Sequence, residues 1–179
     1  MAFLLRKISP NKWQPNLELN PENYTADAIT GCNRTQQNTL SVWHSDTNDF
    51  TDESVEQIIV ALAITMPQPA KIDVIWLEEE KLAEHGLLII STKAETEFEK
   101  INDLHKDIAE LDHQKLAIVS EHIVKQFLDS ANRKSITKPA LIKLVSEWAA
   151  KEDTFDLNLL SDKWIDGVNR YRQRAAASS

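Results

Sequence analysis

The stretch that decides the fold is a run of mostly apolar residues, Lys71-Ile-Asp-Val-Ile-Trp-Leu77. Its β-branched and aromatic side chains predict a buried strand. Two similar runs lie nearby in the sequence, Thr39-Leu-Ser-Val-Trp-His44 and Leu87-Leu-Ile-Ile-Ser-Thr92, and residues 3–9 fit a further short strand. The strand-forming part of the chain is therefore expected in the first hundred residues.

A helix is predicted between the runs at residues 39–44 and 71–77. Thr51 or Asp52 can cap it, apolar residues at helical spacing extend from Val55 to Ala63, and Pro67 ends it. A crossover of this length usually joins two parallel strands. We therefore expect a small three- to four-stranded mixed sheet with one or two helices in the N-terminal half.

Beyond residue 100 the spacing of apolar residues becomes helical. One stripe contains Ile101, Leu104, Ile108 and Leu111. Further helices are predicted to begin near Thr137 and Asp156. The sequence thus predicts an α+β fold, with an acidic α+β domain at residues 1–100. An all-helical domain or extension of three to four helices follows at residues 101–179.

The net negative charge of the chain lies in its first hundred residues. The whole chain has a net charge of −8; residues 1–100 contain 8 Lys and Arg against 16 Asp and Glu, and residues 101–179 contain 12 against 12. Because nucleic acids are bound mainly through cations, the N-terminal half is a poor nucleic-acid partner. The C-terminal half stays possible as a contact surface for nucleic acid.

Composition excludes several protein classes. A single cysteine, Cys32, excludes an internal disulfide and a cysteine-based zinc site, and three glycines are too few for a phosphate-binding loop. No apolar run approaches the roughly 18 residues that span a bilayer, and the first residues lack the order of a signal peptide. We expect a cytoplasmic, bacterial-type protein with no membrane segment and no cofactor.

The densest group of potential ligands is His105-x-Asp107 followed by Asp112-His113. On the predicted helix His105 and His113 stand about two turns, or roughly 11 Å, apart, which is too far to share a metal ion. The favoured interpretation is that these polar residues face solvent. A metal or acid–base site is the alternative.

Two other catalytic arrangements are also weak. Asp73 and Glu79-x-Lys81 resemble the acidic residues with which a metal-dependent nuclease holds Mg²⁺, but the acidic surroundings oppose a nucleic-acid substrate. Cys32 and His44 could meet in space, yet a lone cysteine is more often a small packed residue. The sequence therefore predicts no catalytic and no metal site.

Two segments are candidate binding surfaces. The first is the polar loop 30–39, whose side chains lead into a strand; the second is the basic end of the last helix. The candidate residues are Arg34, Gln36 and Asn38 in the loop, Trp43 in the strand that follows it, and Arg170, Arg172 and Arg174 in the last helix. The alternatives are a solvated connecting loop and ordinary helix-end chemistry, because cations complement the helix dipole at its C-terminus.

The leading hypothesis is a non-catalytic protein-binding or accessory subunit of a larger cytoplasmic assembly. Its partner would be another protein or a second copy of this chain. Five tryptophans support it, because Trp is enriched at interfaces, although they could equally fill the core. The alternative is a small metal-dependent hydrolase or nuclease that uses acidic residues of the N-terminal half, so an enzyme is the less favoured interpretation.

Overall fold

One antiparallel sheet of six strands organises the chain. The computed structural model describes residues 2–33 and 37–177. The strands are β1 (Phe3–Ile8), β2 (Leu40–Ser45), β3 (Ile72–Glu78), β4 (Leu88–Ser91), β5 (His105–Ala109) and β6 (Arg133–Ile136). They lie in the order β4-β5-β2-β1-β3-β6, and each neighbouring pair is antiparallel.

Helices cover both faces of the sheet. They are α1 (Pro10–Trp13), α2 (Ala26–Cys32), α3 (Glu53–Ile64), α4 (Glu79–Glu84), α5 (His113–Leu128), α6 (Lys138–Lys151) and α7 (Asp162–Ala177), with short 3-10 turns between some of them. Buried residues of α3, α6 and α7 share one core with one side of the sheet. Those of α1, α2, α4 and α5 share a second core with the other side.

The central strand β1 is buried on both of its sides. Leu5 belongs to the first core and Leu4 to the second, and neither side chain is exposed to solvent. Because successive side chains of a strand point to opposite faces, two adjacent leucines anchor both layers. Pairing of β1 with β2 and β3 satisfies its backbone on both edges.

The prediction of a three- to four-stranded mixed sheet is wrong. The structure has six strands, and every pairing among the described residues is antiparallel. The expected connection from β2 through α3 to β3 is present, but β1 lies between the two strands. Since β2 and β3 are both antiparallel to β1, they run in the same direction without touching.

The prediction of an all-helical C-terminal half is also wrong, because β5 and β6 both come from it. Ile101 and Leu104 lie on a 3-10 helix (Glu99–Leu104), whereas Ile108 lies on β5 and pairs with Leu40 of β2. Glu110 has a φ of 53°, a left-handed conformation that ends any continuous helix at this point. The apolar spacing matched a helix, but strand pairing overrides that local preference.

Two helix starts predicted from the sequence are confirmed, and a third is wrong. Asp52 accepts a hydrogen bond from the Ser54 N–H at the start of α3, and Thr137 accepts one from the Ala140 N–H at the start of α6. The predicted start of the final helix near Asp156 is wrong, because Asp156 caps only a short 3-10 turn, Leu157–Leu159, and the final helix begins at Asp162.

All five tryptophans are buried. The side chains of Trp13, Trp43, Trp76, Trp148 and Trp164 are at most 6% exposed. The indole of Trp164 also donates a hydrogen bond of 2.9 Å to the Met66 carbonyl, which ties α7 to the segment after α3. The tryptophans thus fill the core and give no argument for a binding surface.

The division into two domains at residue 100 stays a prediction, and unfolding experiments test it. Because residues from both halves hydrogen-bond in one sheet, we expect a single cooperative transition in urea. Far-ultraviolet circular dichroism and tryptophan fluorescence should give coincident curves. Two separated transitions would support the division.

A buried histidine should make stability depend on pH. His122 of α5 accepts a hydrogen bond of 3.0 Å from the Glu78 N–H, and burial lowers the pKa of His122 to about 4. Between about pH 6.5 and pH 4 the unfolded chain therefore binds a proton that the folded chain does not. The free energy of unfolding should fall by up to about 3 kcal/mol as pH drops through this window.

The matched variant is His122→Gln, whose amide oxygen can still accept the Glu78 N–H but does not titrate. Urea unfolding at several pH values between about 7 and 4 should show a shallower loss of stability in this variant. Equal slopes for the two proteins would show that His122 does not carry the effect.

Candidate functional site

The structure describes two of the four candidate residues in and after the polar loop. Arg34 and Gln36 lie outside the described residues. Asn38 has a φ of 59°, and its carbonyl accepts a hydrogen bond from the Leu111 N–H, which joins the loop to the end of β5. Trp43 is buried in the core. Of this group, only Asn38 is described at the surface.

The arginines of α7 divide between two roles. Arg172 donates hydrogen bonds to the side-chain and backbone oxygens of Ser146, at 3.0 and 3.2 Å, and so fastens α7 to α6. Arg170 and Arg174 instead line a groove between the two helices. The guanidinium of Arg170 is held by a hydrogen bond from Nε to the Asp166 carbonyl, one turn earlier.

This groove, which we call the α6–α7 groove, is cationic and has an apolar floor. Its volume is about 510 Å³. Its cations are Lys138, Lys143, Lys163, Arg170 and Arg174, and its apolar lining consists of Pro69, Pro139, Ala140, Ile142, Gly167 and Tyr171. No acidic residue is among the described residues that line it. Five cations without a lining carboxylate favour an anionic ligand.

The acidic candidates of the N-terminal half do not meet. Asp73 pairs with Lys71 at 3.3 Å near the start of β3, whereas Glu79 follows the other end of that strand. Glu79 lies 2.6 Å from the Lys106 Nζ and 3.1 Å from the His44 Nδ1. Six residues of strand separate the two carboxylates by about 20 Å.

The other weak candidates are also apart. The sulfur of Cys32 is buried and accepts a hydrogen bond from the Ser9 N–H, while His44 contacts Glu79. Within residues 2–33 and 37–177, no three His, Cys, Asp or Glu side chains are grouped closely enough to hold a metal. The same part of the chain contains no helix with the length and apolar character needed to cross a membrane.

A second cluster joins three strands on one side of the sheet. His105 and Asp107 lie two residues apart on β5, so both side chains point to the same face. Ser41 on β2 pairs with Asp107, and Thr92, just after β4, bonds to β5 through its backbone. We call Ser41, His105, Thr92 and Asp107 the sheet-face cluster.

Hydrogen bonds connect the sheet-face cluster in a line. The Ser41 Oγ lies 2.6 Å from the His105 Nε2, and the Thr92 Oγ1 lies 2.8 Å from the His105 Nδ1. Thr92 donates its proton to Asp107 at 3.0 Å, so it accepts from the Nδ1–H of the imidazole. The Nε2 is then left as the acceptor for the Ser41 hydroxyl proton.

The surroundings keep this imidazole neutral and fixed. Burial lowers the pKa of His105, more than the nearby Asp107 raises it. The ring packs edge-on against Trp43, with ring centroids 5.3 Å apart. Arg6 fixes the backbone beneath Ser41 by donating to its carbonyl at 2.6 Å, and burial lowers the pKa of this guanidinium to about 10.

The sequence does not reveal the sheet-face cluster, because the apolar spacing of residues 101–111 predicts a helix. On a helix, His105 and Asp107 point in different directions, and Thr92 has no reason to be near them. On a strand the same two residues share a face. The local sequence gives little signal for a strand, because three consecutive polar residues, His105-Lys-Asp107, precede the short apolar run Ile108-Ala109.

Comparison with protein-family models, curated proteins and solved structures gives no match. Function is therefore inferred from the two sites alone.

The hydrogen-bond line fixes the tautomer of His105, and nitrogen NMR tests this directly. We expect a neutral ring at pH 7 with the proton on Nδ1, and a titration midpoint below the ordinary value of about 6.5 because burial lowers the pKa. Thr92→Val should shift the tautomer balance. A ring protonated on Nε2 would contradict the arrangement.

Proposed function

We propose that this protein is a protein-binding accessory subunit of a larger cytoplasmic assembly. Its partner would insert an acidic segment with an apolar anchor into the α6–α7 groove. The observation that carries the proposal is the presence of five lining cations, with no acidic lining residue among those described, in a chain of net charge −8.

Charge complementarity supports an acidic ligand. The lining cations Lys138, Arg170 and Arg174 are exposed, and exposed cations are screened by salt but steer an anionic partner to its site. Lys163 and Lys143 are exposed as well; Lys163 donates to Gln68, and Lys143 lies 3.7 Å from Glu147.

The apolar floor supports an anchor side chain. Gly167 of α7 faces Ile142 of α6 and Pro69: a Cβ there would stand 3.4 Å from the Ile142 Cδ1 and 3.5 Å from the Pro69 Cγ. A ligand side chain packed on this floor would be desolvated, which is where interfaces gain most of their free energy. Purely ionic ligands would leave this floor uncovered.

A protein is favoured over a nucleic acid for two reasons. The first hundred residues carry a large excess of acidic residues, which repels an extended polyanion. The volume of about 510 Å³ is also that of a compact pocket, which suits a short segment rather than a long backbone.

The test is selection from a random peptide library on the immobilised protein, followed by affinity measurement on the selected peptides. We expect peptides that combine Asp or Glu with one large apolar residue. Reversing Lys138 and Arg170 to Glu should cost roughly 2 kcal/mol, about a 30-fold weaker Kd, because each exposed charge pair contributes up to about 1 kcal/mol.

The matched control reverses two exposed lysines elsewhere, Lys93 and Lys125, with the same change in net charge. It should bind like the unaltered protein. Equal binding by the groove variant and the control would refute the proposal. So would a single-stranded oligonucleotide that binds more tightly than every peptide and depends on the same two cations.

A further inference from the structure

We propose that Ser41 is a nucleophile activated by His105, and that the sheet-face cluster cleaves small carboxylic esters with a short apolar acyl chain. This activity would be separate from the α6–α7 groove. The accessory subunit would then carry a catalytic site of its own, so the test of one proposal does not decide the other.

The geometry provides three linked parts of a nucleophilic site. Ser41 is exposed at the surface and its Oγ lies 2.6 Å from the His105 Nε2. The other ring nitrogen of His105 is held by Thr92, which is in turn held by Asp107. Nucleophile, base and orienting groups within hydrogen-bond reach are the arrangement that activates a serine.

The orienting part is an acid acting through a hydroxyl. Asp107 accepts a hydrogen bond from the Thr92 hydroxyl, which uses the only proton of that hydroxyl. Toward His105, Thr92 can therefore act only as an acceptor, and the imidazole must donate its Nδ1–H. This selects the tautomer whose free nitrogen faces Ser41. Thr92 and Asp107 are therefore positioning residues, and only Ser41 and His105 act on the substrate.

The neighbouring side chains indicate the substrate. Ile90 pairs with Asp107 and Leu88 with Ala109, so both point to the same side of the sheet as His105. They are 37% and 41% exposed, so their apolar surface is open to contact with a short acyl chain.

The reaction balances without a further reagent except water. The Ser41 Oγ bonds to the ester carbonyl carbon while its proton passes to the His105 Nε2. The tetrahedral intermediate breaks its bond to the alkoxide oxygen, which takes the proton from His105 and leaves as an alcohol. Water then attacks the acyl carbon while its proton passes to the His105 Nε2; the bond from that carbon to the Ser41 Oγ breaks, the Oγ takes the proton back from His105, and the carboxylic acid leaves.

The decisive experiment treats the full chain with a fluorophosphonate probe and locates the label by mass spectrometry. The Ser41 Oγ would displace fluoride from phosphorus while its proton moves to His105. We expect one modified residue, Ser41, and hydrolysis of p-nitrophenyl acetate that stops on labelling. Ser41→Ala should abolish both, and His105→Gln should slow labelling roughly 100-fold, the usual contribution of a general base.

Control variants distinguish the loss of Ser41 reactivity from the loss of folded structure. Ser91→Ala and His113→Gln change an exposed serine and an exposed histidine outside the cluster and should label normally. Thr92→Val should slow labelling while Thr92→Ser restores it, a difference that a purely structural role would not produce. Circular dichroism of each variant verifies that it is folded.

Three results would overturn the proposal. One is a folded, unaltered protein in which Ser41 takes no label under conditions that label a serine hydrolase. Another is labelling that proceeds equally fast in His105→Gln and Thr92→Val, because it would show that Ser41 reacts without the base. Ester hydrolysis that survives in Ser41→Ala would also count against it, as background catalysis by surface groups.

Discussion

The structure depends on the burial of β1 from both sides. Leu4 and Leu5 are fully buried in opposite layers, and each contributes roughly 1.5–3 kcal/mol by leaving water. Only a strand with neighbours on both edges and helices on both faces can be buried in this way. β2 and β3 supply the edges; α3 and α5 help to supply the faces.

This constraint connects both halves of the chain. With β1 near the centre, the crossover through α3 joins β2 to β3, and the crossover through α5 joins β5, next to one edge of the sheet, to β6 at the opposite edge. The two crossovers lie on opposite faces, which leaves α6 and α7 to pack beside α3. The α6–α7 groove results from that packing, while the sheet-face cluster lies where β2, β4 and β5 come together.

The sequence was a good guide where one periodicity was clear. Alternating or continuous apolar runs located β2, β3 and β4, and capping residues such as Asp52 and Thr137 located helix starts.

The sequence pattern failed to predict the short strands of the C-terminal half. β6 has a single apolar residue, Ile136, and Ile108 of β5 falls on a helical spacing by coincidence. Their pairing comes from distant strands, which no local pattern contains. The basic end of the last helix is visible in the sequence, and a binding role for Arg170 and Arg174 stays a prediction; the lysines of α6 that line the same groove come near them only through tertiary packing.

Native-state hydrogen exchange of the β1 amides tests the central constraint most directly. If β1 is the doubly paired centre of the sheet, the amides of Leu4, Leu5 and Arg6 should exchange only by global unfolding. Their exchange free energy would then equal the free energy of unfolding measured in urea. Exchange of these amides at a much lower free energy, while β3 stays protected, would show that β1 is a peripheral strand and would contradict the account.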